Sequence, residues 1–530
     1  MRLLRGLLCA AVLSQVVSGA MAQQSPGTSN VPVFRSTTTL VFLDVTVLDK
    51  KGQPVVTGLT KDDFTITEDK KPQSIFSFEA PETHKLKKSR NGSDNPDGSA
   101  PVTIFVLDLL NSNFEDFAYI RYSVRKYLEA QPAQMSSPAE MMVIGNDSLE
   151  LLQGFTRSRA DLLFALKHLP GALPFKLMRG SFFGERFGQS IDALQQIALQ
   201  SKGVPGRKNI VWVGHGGPSV NTVFLDGKLT DQLNRYVHET ANMLVDARIS
   251  LFVIYPGLPV QAGVGSISAM SAEADPGNTD PFAGDINFGV FVNETGGNLY
   301  YNRNDVDMEI KRSQELGSEY YTLTYQLHDE VANGKFRRIR VSLRDPNLHA
   351  VTKTGYFAPD EHAPVDARQE SIVNLAEAVR STIPFKGMEM KVSEVTRHPD
   401  TRSAEIAVLV RSRNLDWQPA DNGESTASVL VGAASRTDHG EILASKLQRV
   451  TLTAQTQDMA KLAIGMARVH VVLRVPPKTR NVRVVMQSGD GGRIGATDLS
   501  RAAIDAAPAT STPNPQLMPQ HPAQNAPPSP

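Results

Sequence analysis

Four side chains with the residue types of an acid–base site follow two apolar runs of the sequence. Asp108 ends the run Val102–Leu107 and Ser112 comes four residues later, while His215 and Ser219 follow a second apolar run. In a doubly wound sheet the carboxyl ends of the strands meet at one edge, where such folds place their ligands. A Ser/His/Asp set could therefore converge there and catalyse hydrolysis. No nucleophile elbow accompanies the set, so a hydrolase is the alternative and not the leading hypothesis.

The sequence carries none of the common catalytic signatures. It has no H-E-x-x-H zinc motif, no G-x-S-x-G elbow and no G-x-x-x-x-G-K-[ST] phosphate loop. The glycine-rich stretch Gly263–Ser266 is not followed by an apolar helix, so it is interpreted as a surface loop. We therefore expect a chain that is not an enzyme.

The elements that must position Asp108 alternate between strand and helix from Val102 onward. Phe114–Glu129 places its apolar side chains on one helical stripe, and Met141–Ile144 with Leu149–Phe155 predicts a hairpin. Ser158 and Asp161 form a capping box for the next helix. This alternation predicts an α/β fold with a doubly wound, mostly parallel sheet.

The remaining chain is predicted to be β-rich, and its 530 residues suggest about three domains. Alternating runs beyond Ala404 suggest a β-sandwich. The segment Pro256–Asp285 is too long for an ordinary connection and is either a functional surface loop or disordered. The expected organisation is a signal peptide (1–22), an N-terminal β module (34–82), a linker (83–100), the α/β domain (101–318), a β extension of that domain (319–360), a C-terminal β-sandwich-like domain (368–503) and a disordered Pro/Ala-rich tail (504–530).

The amino terminus reads as a secretory signal. Arg2 and Arg5 precede the short apolar run Leu7–Val17, and Ala20–Ala22 offers a cleavage site. Cleavage after Ala22 would remove Cys9, the one cysteine, and leave a secreted or periplasmic protein that is not lipid-anchored. No segment of the mature chain approaches the roughly 18 to 20 apolar residues of a transmembrane helix.

The charge balance bears on the class of partner. Lys and Arg together number 55, as do Asp and Glu. Binding to nucleic acid or to an anionic membrane relies on an excess of cationic side chains. We therefore expect no nucleic-acid partner.

Several blocks together resemble the bacterial secreted family called the VWFA-related acidobacterial domain, over roughly Phe34–Pro359. The blocks are Gly58–Asp69, Asp108–Ser112, Leu152–Thr156, Tyr320–Tyr325, Lys335–Ile339 and Gly355–Phe357. The resemblance implies that 101–318 is a von Willebrand factor A-like domain, a fold whose members usually bind proteins. We therefore expect a non-enzymatic binding or adhesion protein with a protein partner in the cell envelope or outside the cell.

The resemblance also implies a metal-ion-dependent adhesion site, built from hard oxygen ligands for Mg²⁺ or another divalent metal. Asp108 and Ser112 match its Asp-x-Ser-x-Ser element, but Leu110 replaces the first serine. The threonine of the second element aligns with Gly188, with Ser181 or Ser190 as substitutes. The aspartate of the third element is replaced by His215. The site is thus degenerate.

Two interpretations of Asp108 stay open. In one, its carboxylate caps loop amides at the strand end, Asn111 and Ser112 are turn and N-cap residues, and no cofactor binds. In the other, Asp108, Asn111, Ser112 and His215 form a degenerate metal site. A metal held through His215 would be a transition metal, because Mg²⁺ rarely takes an imidazole ligand.

Overall fold

The structure is a computed structural model that describes residues 39–85, 100–145, 148–169, 183–202, 204–222, 225–256, 280–327, 332–359, 367–420, 424–438, 440–455, 465–489 and 492–510. The predicted signal peptide, Cys9, Ser181, most of the 256–285 loop and the tail beyond 510 lie outside these residues. Within them, no helix combines the length and the apolar character that crossing a bilayer requires.

The amino-terminal half contains twelve strands among the described residues. They are β1 (Thr39–Leu48), β2 (Phe64–Glu68), β3 (Lys71–Gln73), β4 (Ile75–Glu79), β5 (Val102–Asp108), β6 (Gln134–Ile144), β7 (Leu149–Ser158), β8 (Lys208–Val213), β9 (Val220–Asn221), β10 (Ile249–Pro256), β11 (Asp285–Ile286) and β12 (Leu299–Arg303). The helices of this half are α1 (Phe114–Glu129), α2 (Arg159–Lys167), α3 (Phe183–Ser201), α4 (Gly227–Asp246), α5 (Phe288–Glu294) and α6 (Val306–Ser318).

The carboxyl-terminal half is mostly β-structure. Its strands are β13 (Tyr321–Leu327), β14 (Phe336–Leu343), β15 (His349–Val351), β16 (Gly355–Phe357), β17 (Met390–His398), β18 (Ser403–Arg411), β19 (Gln418–Pro419), β20 (Glu424–Arg436), β21 (Ile442–Gln455), β22 (Met466–Arg474), β23 (Asn481–Ser488) and β24 (Ile494–Ser500). Its helices, as far as this part of the chain is described, are α7 (Ala367–Arg380) and α8 (Arg501–Asp505).

A six-stranded sheet of order β12-β10-β8-β5-β6-β7 forms the α/β domain. Its pairs are parallel except for the predicted β6–β7 hairpin, which is antiparallel. Apolar side chains cover both faces, since α1, α2 and α6 pack on one and α3, α4 and α5 on the other. From β5 the chain continues to β6 and β7 on one side of the sheet, and it then returns to β8 on the other side of β5. The strand order therefore reverses between β5 and β8, and ligands of open α/β sheets bind at such a point.

The two predicted β segments, 34–82 and 319–360, turn out to share their sheets. One sheet has the order β15-β1-β13-β4 and the other β16-β14-β2-β3. Apolar side chains of both segments form one core, among them Leu43, Ile66 and Leu323. The structure therefore differs from the expected pair of separate modules. Pairing between strands so far apart along the chain leaves no local signal in the sequence.

The prediction placed the start of the linker 83–100 too early in the sequence. Pro81–His84 forms a 3₁₀ turn, and the His84 ring is buried with Nδ1 3.1 Å from the carbonyl oxygen of Tyr320. The ring also stacks on Tyr320, with centroids 4.2 Å apart. Residue 84 therefore belongs to the β module, because an apolar ring face and a polar edge are both satisfied there.

The carboxyl-terminal domain consists of a sheet of order β17-β18-β22 and a second sheet containing β19, β20, β21, β23 and β24. The two sheets share an apolar core. Helix α7 joins this domain to the α/β domain, because Leu375 and Val379 belong to the same apolar cluster as α3 and α4.

The tail predicted to be disordered from residue 504 is ordered as far as Thr510. Ser500 caps α8 through the amide of Ala503, and Ile504 is buried. The backbone of Arg397 then bonds Pro508 and Thr510. The prediction was wrong for residues 504–510, because one apolar side chain and a strand edge supply enough contacts to order them.

Candidate functional site

The candidate site lies at the carboxyl edge of the six-stranded sheet, at the point between β5 and β8 where the strand order reverses. Asp108 is the last residue of β5, and Gly214 follows β8 directly. Val106 of β5 is in register with Trp212 of β8, so Asp108 lies two residues beyond this pair on the same face. The loop 214–219 and the loop 109–113 therefore meet above Asp108.

Asp108 accepts hydrogen bonds from both loops and from the sheet. Its Oδ1 accepts from the Asn111 amide at 2.8 Å, and its Oδ2 accepts from Trp212 Nε1 at 3.0 Å and from the Gly216 amide at 2.9 Å. Asn111 Nδ2 lies 3.2 and 3.3 Å from the two oxygens and donates to Ser190 Oγ on α3 at 3.0 Å. The carboxylate of Asp108 thus links β5, β8 and both loops directly, and it contacts α3 through Asn111.

Burial dominates the electrostatics of this carboxylate. Asp108 is fully buried, and desolvation raises its pKa above the ordinary value for an aspartate. The hydrogen bonds from Trp212 and Asn111 and the charge of His215 oppose that rise only in part. Neutral N–H groups, and no directly bonded cation, hold Asp108 among the described residues.

Glycine is required where the loop passes over Asp108. Gly214 has a φ of 145°, and a Cβ atom there would lie 2.3 Å from Cβ of Asp108. Gly216 has a φ of 69°, and a Cβ atom there would lie 2.7 Å from the ring of Phe288. The Gly214–Gly217 segment therefore lies directly on the carboxylate, in a backbone conformation that other residues rarely adopt.

Of the four predicted metal ligands, the structure brings three together. Asp108, Asn111 and Ser112 are buried side by side, whereas His215 is half-buried and points to helix α1. His215 Nε2 is 2.9 Å from Asp116 Oδ2, and its ring packs against Tyr255 with centroids 3.9 Å apart. His215 therefore pairs with helix α1 and makes no direct hydrogen bond to Asp108 among the described residues.

The Asp108 carboxylate offers no free ligand position to a hard divalent cation. An ionised carboxylate has about four lone-pair positions, and the donors from Asn111, Trp212 and Gly216 occupy those of Asp108. The Gly188 position offers no ligand oxygen, and Ser190 Oγ donates to the Arg186 carbonyl. Among the described residues, no group of three or more His, Cys, Asp or Glu side chains is arranged to hold a metal.

The geometry of a serine nucleophile is likewise not formed here. A nucleophile needs a base within hydrogen-bonding distance. His215 is engaged by Asp116, and the buried hydroxyl of Ser112 has no hydrogen-bond partner among the described residues. Ser219 is half-buried, and no hydrogen bond joins it to His215 in the described part of the chain.

Sequence reasoning missed Trp212 and Asp116, and it named Ser190 only as a substitute metal ligand. Trp212 is fully buried on β8, and only its indole N–H is polar. A buried tryptophan needs a partner for that group, so an aspartate at the end of the neighbouring strand was a possible signal. Asp116 lies in the first turn of α1, where an acidic residue is usual, and nothing local pointed to His215.

Structural comparison finds partial likenesses. The VWA domain of SpRpn10 is 18% identical over 30% of this chain and 75% of that chain, with a TM-score of 0.18. A mutant of the PilB minor pilin from Streptococcus sanguinis is 12% identical over 31% of this chain and 51% of that chain, with a TM-score of 0.21. No protein-family profile matches the chain. No curated protein matches it either.

Proposed function

We propose that this chain is a secreted or periplasmic, non-enzymatic protein that binds another protein through a von Willebrand factor A-like domain. In this proposal it belongs with the VWFA-related acidobacterial domain proteins, and its adhesion site is degenerate. The observation that carries the proposal is the single carboxylate of Asp108, which fixes the half-buried loop 214–219 against the buried loop 109–112 above the strand-order reversal. Rigid loops on a sheet edge are a common way to present a binding surface.

The surface around the fixed loops suits a protein partner. Phe114, at the start of α1, exposes 68% of its surface, and Asp116, which pairs with His215 of the loop 214–219, lies in the same helix turn. Exposed aromatic side chains beside polar pairs are typical of protein interfaces, in which aromatic residues are enriched. We therefore assign the loop 214–219, with Asn113 and the first turn of α1, to the partner-binding surface.

Export is supported by the sequence of the amino terminus. Arg2, Arg5, the apolar run Leu7–Val17 and the Ala20–Ala22 site have the order of a secretory signal. The proposed partner is therefore a protein of the cell envelope or the surroundings of the cell. Amino-terminal sequencing of the exported protein should begin at Gln23.

The experiment is site-specific photo-crosslinking with the full exported chain. A benzoylphenylalanine replaces Phe114, and a second variant carries the same group at Phe76 of β4, which is exposed to a similar extent (61% against 68%). Envelope and culture extracts supply the partners. We expect a protein adduct at position 114 that unlabelled wild-type protein suppresses, and none at position 76.

Two outcomes would contradict the proposal. One is the absence of any suppressible adduct at position 114, and the other is adducts of equal yield at both positions. A Phe114→Ala variant gives an independent measurement. It should weaken capture of the crosslinked partner by about tenfold, as expected for an exposed aromatic side chain that becomes buried in an interface.

A further inference from the structure

The indole of Trp212 is fully buried, and its one polar group bonds Asp108. It packs edge-on against Phe288, with centroids 5.0 Å apart, and its Nε1 points toward the carboxyl edge of the sheet. There it donates to Asp108 Oδ2, the same oxygen that accepts from the Gly216 amide. Trp212 therefore fixes the carboxylate oxygen that in turn fixes the loop.

The donors around Asp108 account for its whole hydrogen-bonding capacity. Trp212 Nε1 and the Gly216 amide use Oδ2, the Asn111 amide uses Oδ1, and Asn111 Nδ2 spans both oxygens. All four are N–H groups, so each supplies a positive hydrogen where an adhesion site would place a cation.

We propose that Trp212 is a positioning residue that replaces the metal. Its indole N–H orients Asp108 so that the loop 214–219 is held in its binding conformation with no cation present. This inference rests on the proposed function, because it states how the same surface is kept ready. Binding through that surface is then independent of divalent metal and insensitive to chelators.

Close packing at other positions of the loop 214–219 leaves Asp108 little room to change its orientation. Gly214 leaves no space for a side chain over Asp108, and its amide donates to the Ile254 carbonyl at 2.9 Å. Gly217 would place a Cβ atom 2.9 Å from Cβ of Ser190. The loop is thus held against β10, α3 and Asp108, and an altered Asp108 orientation displaces the Gly216 amide.

The test is hydrogen exchange of the full chain, read on peptides that cover Gly214–Ser219. A Trp212→Phe variant keeps an aromatic ring and removes the N–H. We expect exchange of the loop amides to rise by about tenfold, the effect of losing one hydrogen bond to a charged group. Millimolar Mg²⁺ or EDTA should leave the wild-type rate unchanged.

Trp417 provides the matched control. Its Nε1 also donates, to the Ser412 carbonyl at 3.1 Å, but it lies in the carboxyl-terminal domain. A Trp417→Phe variant should leave exchange of the 214–219 loop at the wild-type rate. If Trp212→Phe does not fold, Asn111→Ala removes a second donor to Asp108 and should raise loop exchange by at least about twofold.

Either of two results overturns the inference. One is a wild-type exchange rate in Trp212→Phe, or in Asn111→Ala where Trp212→Phe does not fold. The other is clear slowing of wild-type loop exchange by Mg²⁺. The measurement uses no partner, so its failure would leave the crosslinking result standing. Conversely, an absent crosslink would not affect the exchange rates.

Discussion

Asp108 of the six-stranded sheet and Asp44 of the neighbouring sheet are both largely buried, but they are held in different ways. Asp108 at the carboxyl edge accepts from neutral N–H groups. Asp44 of β1, near the amino edge, pairs with Arg248, whose Nε is 3.0 Å from its Oδ2, and accepts from Thr322 Oγ1 at 2.9 Å. Arg207, beside it, donates to Thr46 Oγ1 at 2.8 Å. One carboxylate is satisfied by dipoles and the other by cations.

The difference reverses the direction of the two pKa shifts. Burial raises the pKa of both carboxyl groups. At Asp44 the charges of Arg248 and Arg207 outweigh burial, so its pKa falls below the ordinary value. At Asp108 no bonded cation does so, and burial prevails. The ionic cluster of Asp44, Arg248 and Arg207 joins the β module to the α/β domain. The N–H donors around Asp108 instead hold the loop 214–219 in place.

The largest expected effect is the loss of Asp44. Asp44→Ala leaves the buried Arg207 and the half-buried Arg248 without their anion, so we expect the free energy of unfolding to fall by about 3–5 kcal/mol in urea titrations at pH 7. The carboxylate contributes stability above its ordinary pKa of 3.8, and the contribution is lost as pH falls through the lowered value. The gap between wild type and variant should therefore persist to about pH 4 and close in stronger acid.

The control for Asp44 is an exposed ion pair. Arg125 and Glu129 lie one turn apart on α1, with more than half of each side chain exposed and 3.8 Å between Nε and Oε1. Glu129→Ala should change the urea midpoint little, because solvent screens such pairs. Equal losses in the two variants would mean that the ionic cluster does not hold the modules together.

The next effect concerns the loop over Asp108. Gly214→Ala introduces a Cβ atom 2.3 Å from Cβ of Asp108 at a φ of 145°, and should destabilise by about 2–3 kcal/mol. Gly188 in α3 is the matched control, since nothing lies within 4 Å of its Cβ position. Gly188→Ala should instead stabilise by up to about 1 kcal/mol, because alanine favours helix. Thermal unfolding of both proteins decides the point.

Local sequence patterns predicted those parts of the fold that depend on neighbouring residues. The helix Phe114–Glu129 has the predicted bounds, and Asp108 lies at the predicted sheet edge. The periodicity of one segment suffices for such elements. The pairing of β1 with β13 and the bond from Trp212 to Asp108 join residues far apart in the chain. No local pattern encodes them.

A third carboxylate, that of Glu140 on β6, is also buried, and its contribution to the stability of the folded protein depends on pH. Burial raises its pKa to about 8, with Lys386 and the Gln200 amide opposing in part. A raised pKa means that the folded protein loses stability as pH rises from 4.5 toward 8. Glu140→Gln should therefore melt like the wild type near pH 4.5 and a few degrees higher near pH 8. A constant difference across this range would contradict the assignment.

A smaller effect is expected at Ser112. Its buried hydroxyl has no hydrogen-bond partner among the described residues. Removal of such a group costs no hydrogen bond, so Ser112→Ala should match or slightly exceed the wild-type melting temperature. Partner capture by the variant should also be unchanged. A loss of capture in a fully folded Ser112→Ala protein would give this hydroxyl a direct role.

The smallest expected effect is that of added metal. Asp108 has no lone pair left for a cation, so millimolar Mg²⁺ or Ca²⁺ should shift thermal unfolding by no more than about 1 °C. The response should be the same in Asp108→Ala. Calorimetric titration with Mg²⁺, Mn²⁺, Ca²⁺ and Zn²⁺ tests this directly. A one-to-one site of micromolar affinity that Asp108→Ala abolishes would restore metal-dependent adhesion, and a Zn²⁺ site lost in His215→Ala would restore the alternative ligand set.

The shared sheets of the β module have a consequence for the order of folding. The two strands that pair with β1 are β13 and β15, and both follow the α/β domain in the sequence. As the chain emerges amino end first, both edges of β1 stay open until residue 327 is available, and one of them stays open until residue 351. Unpaired strand edges invite association with other chains, so the newly made protein needs protection during this interval. The α/β domain, whose contacts are closer in sequence, can fold first and bring the two halves of the module together.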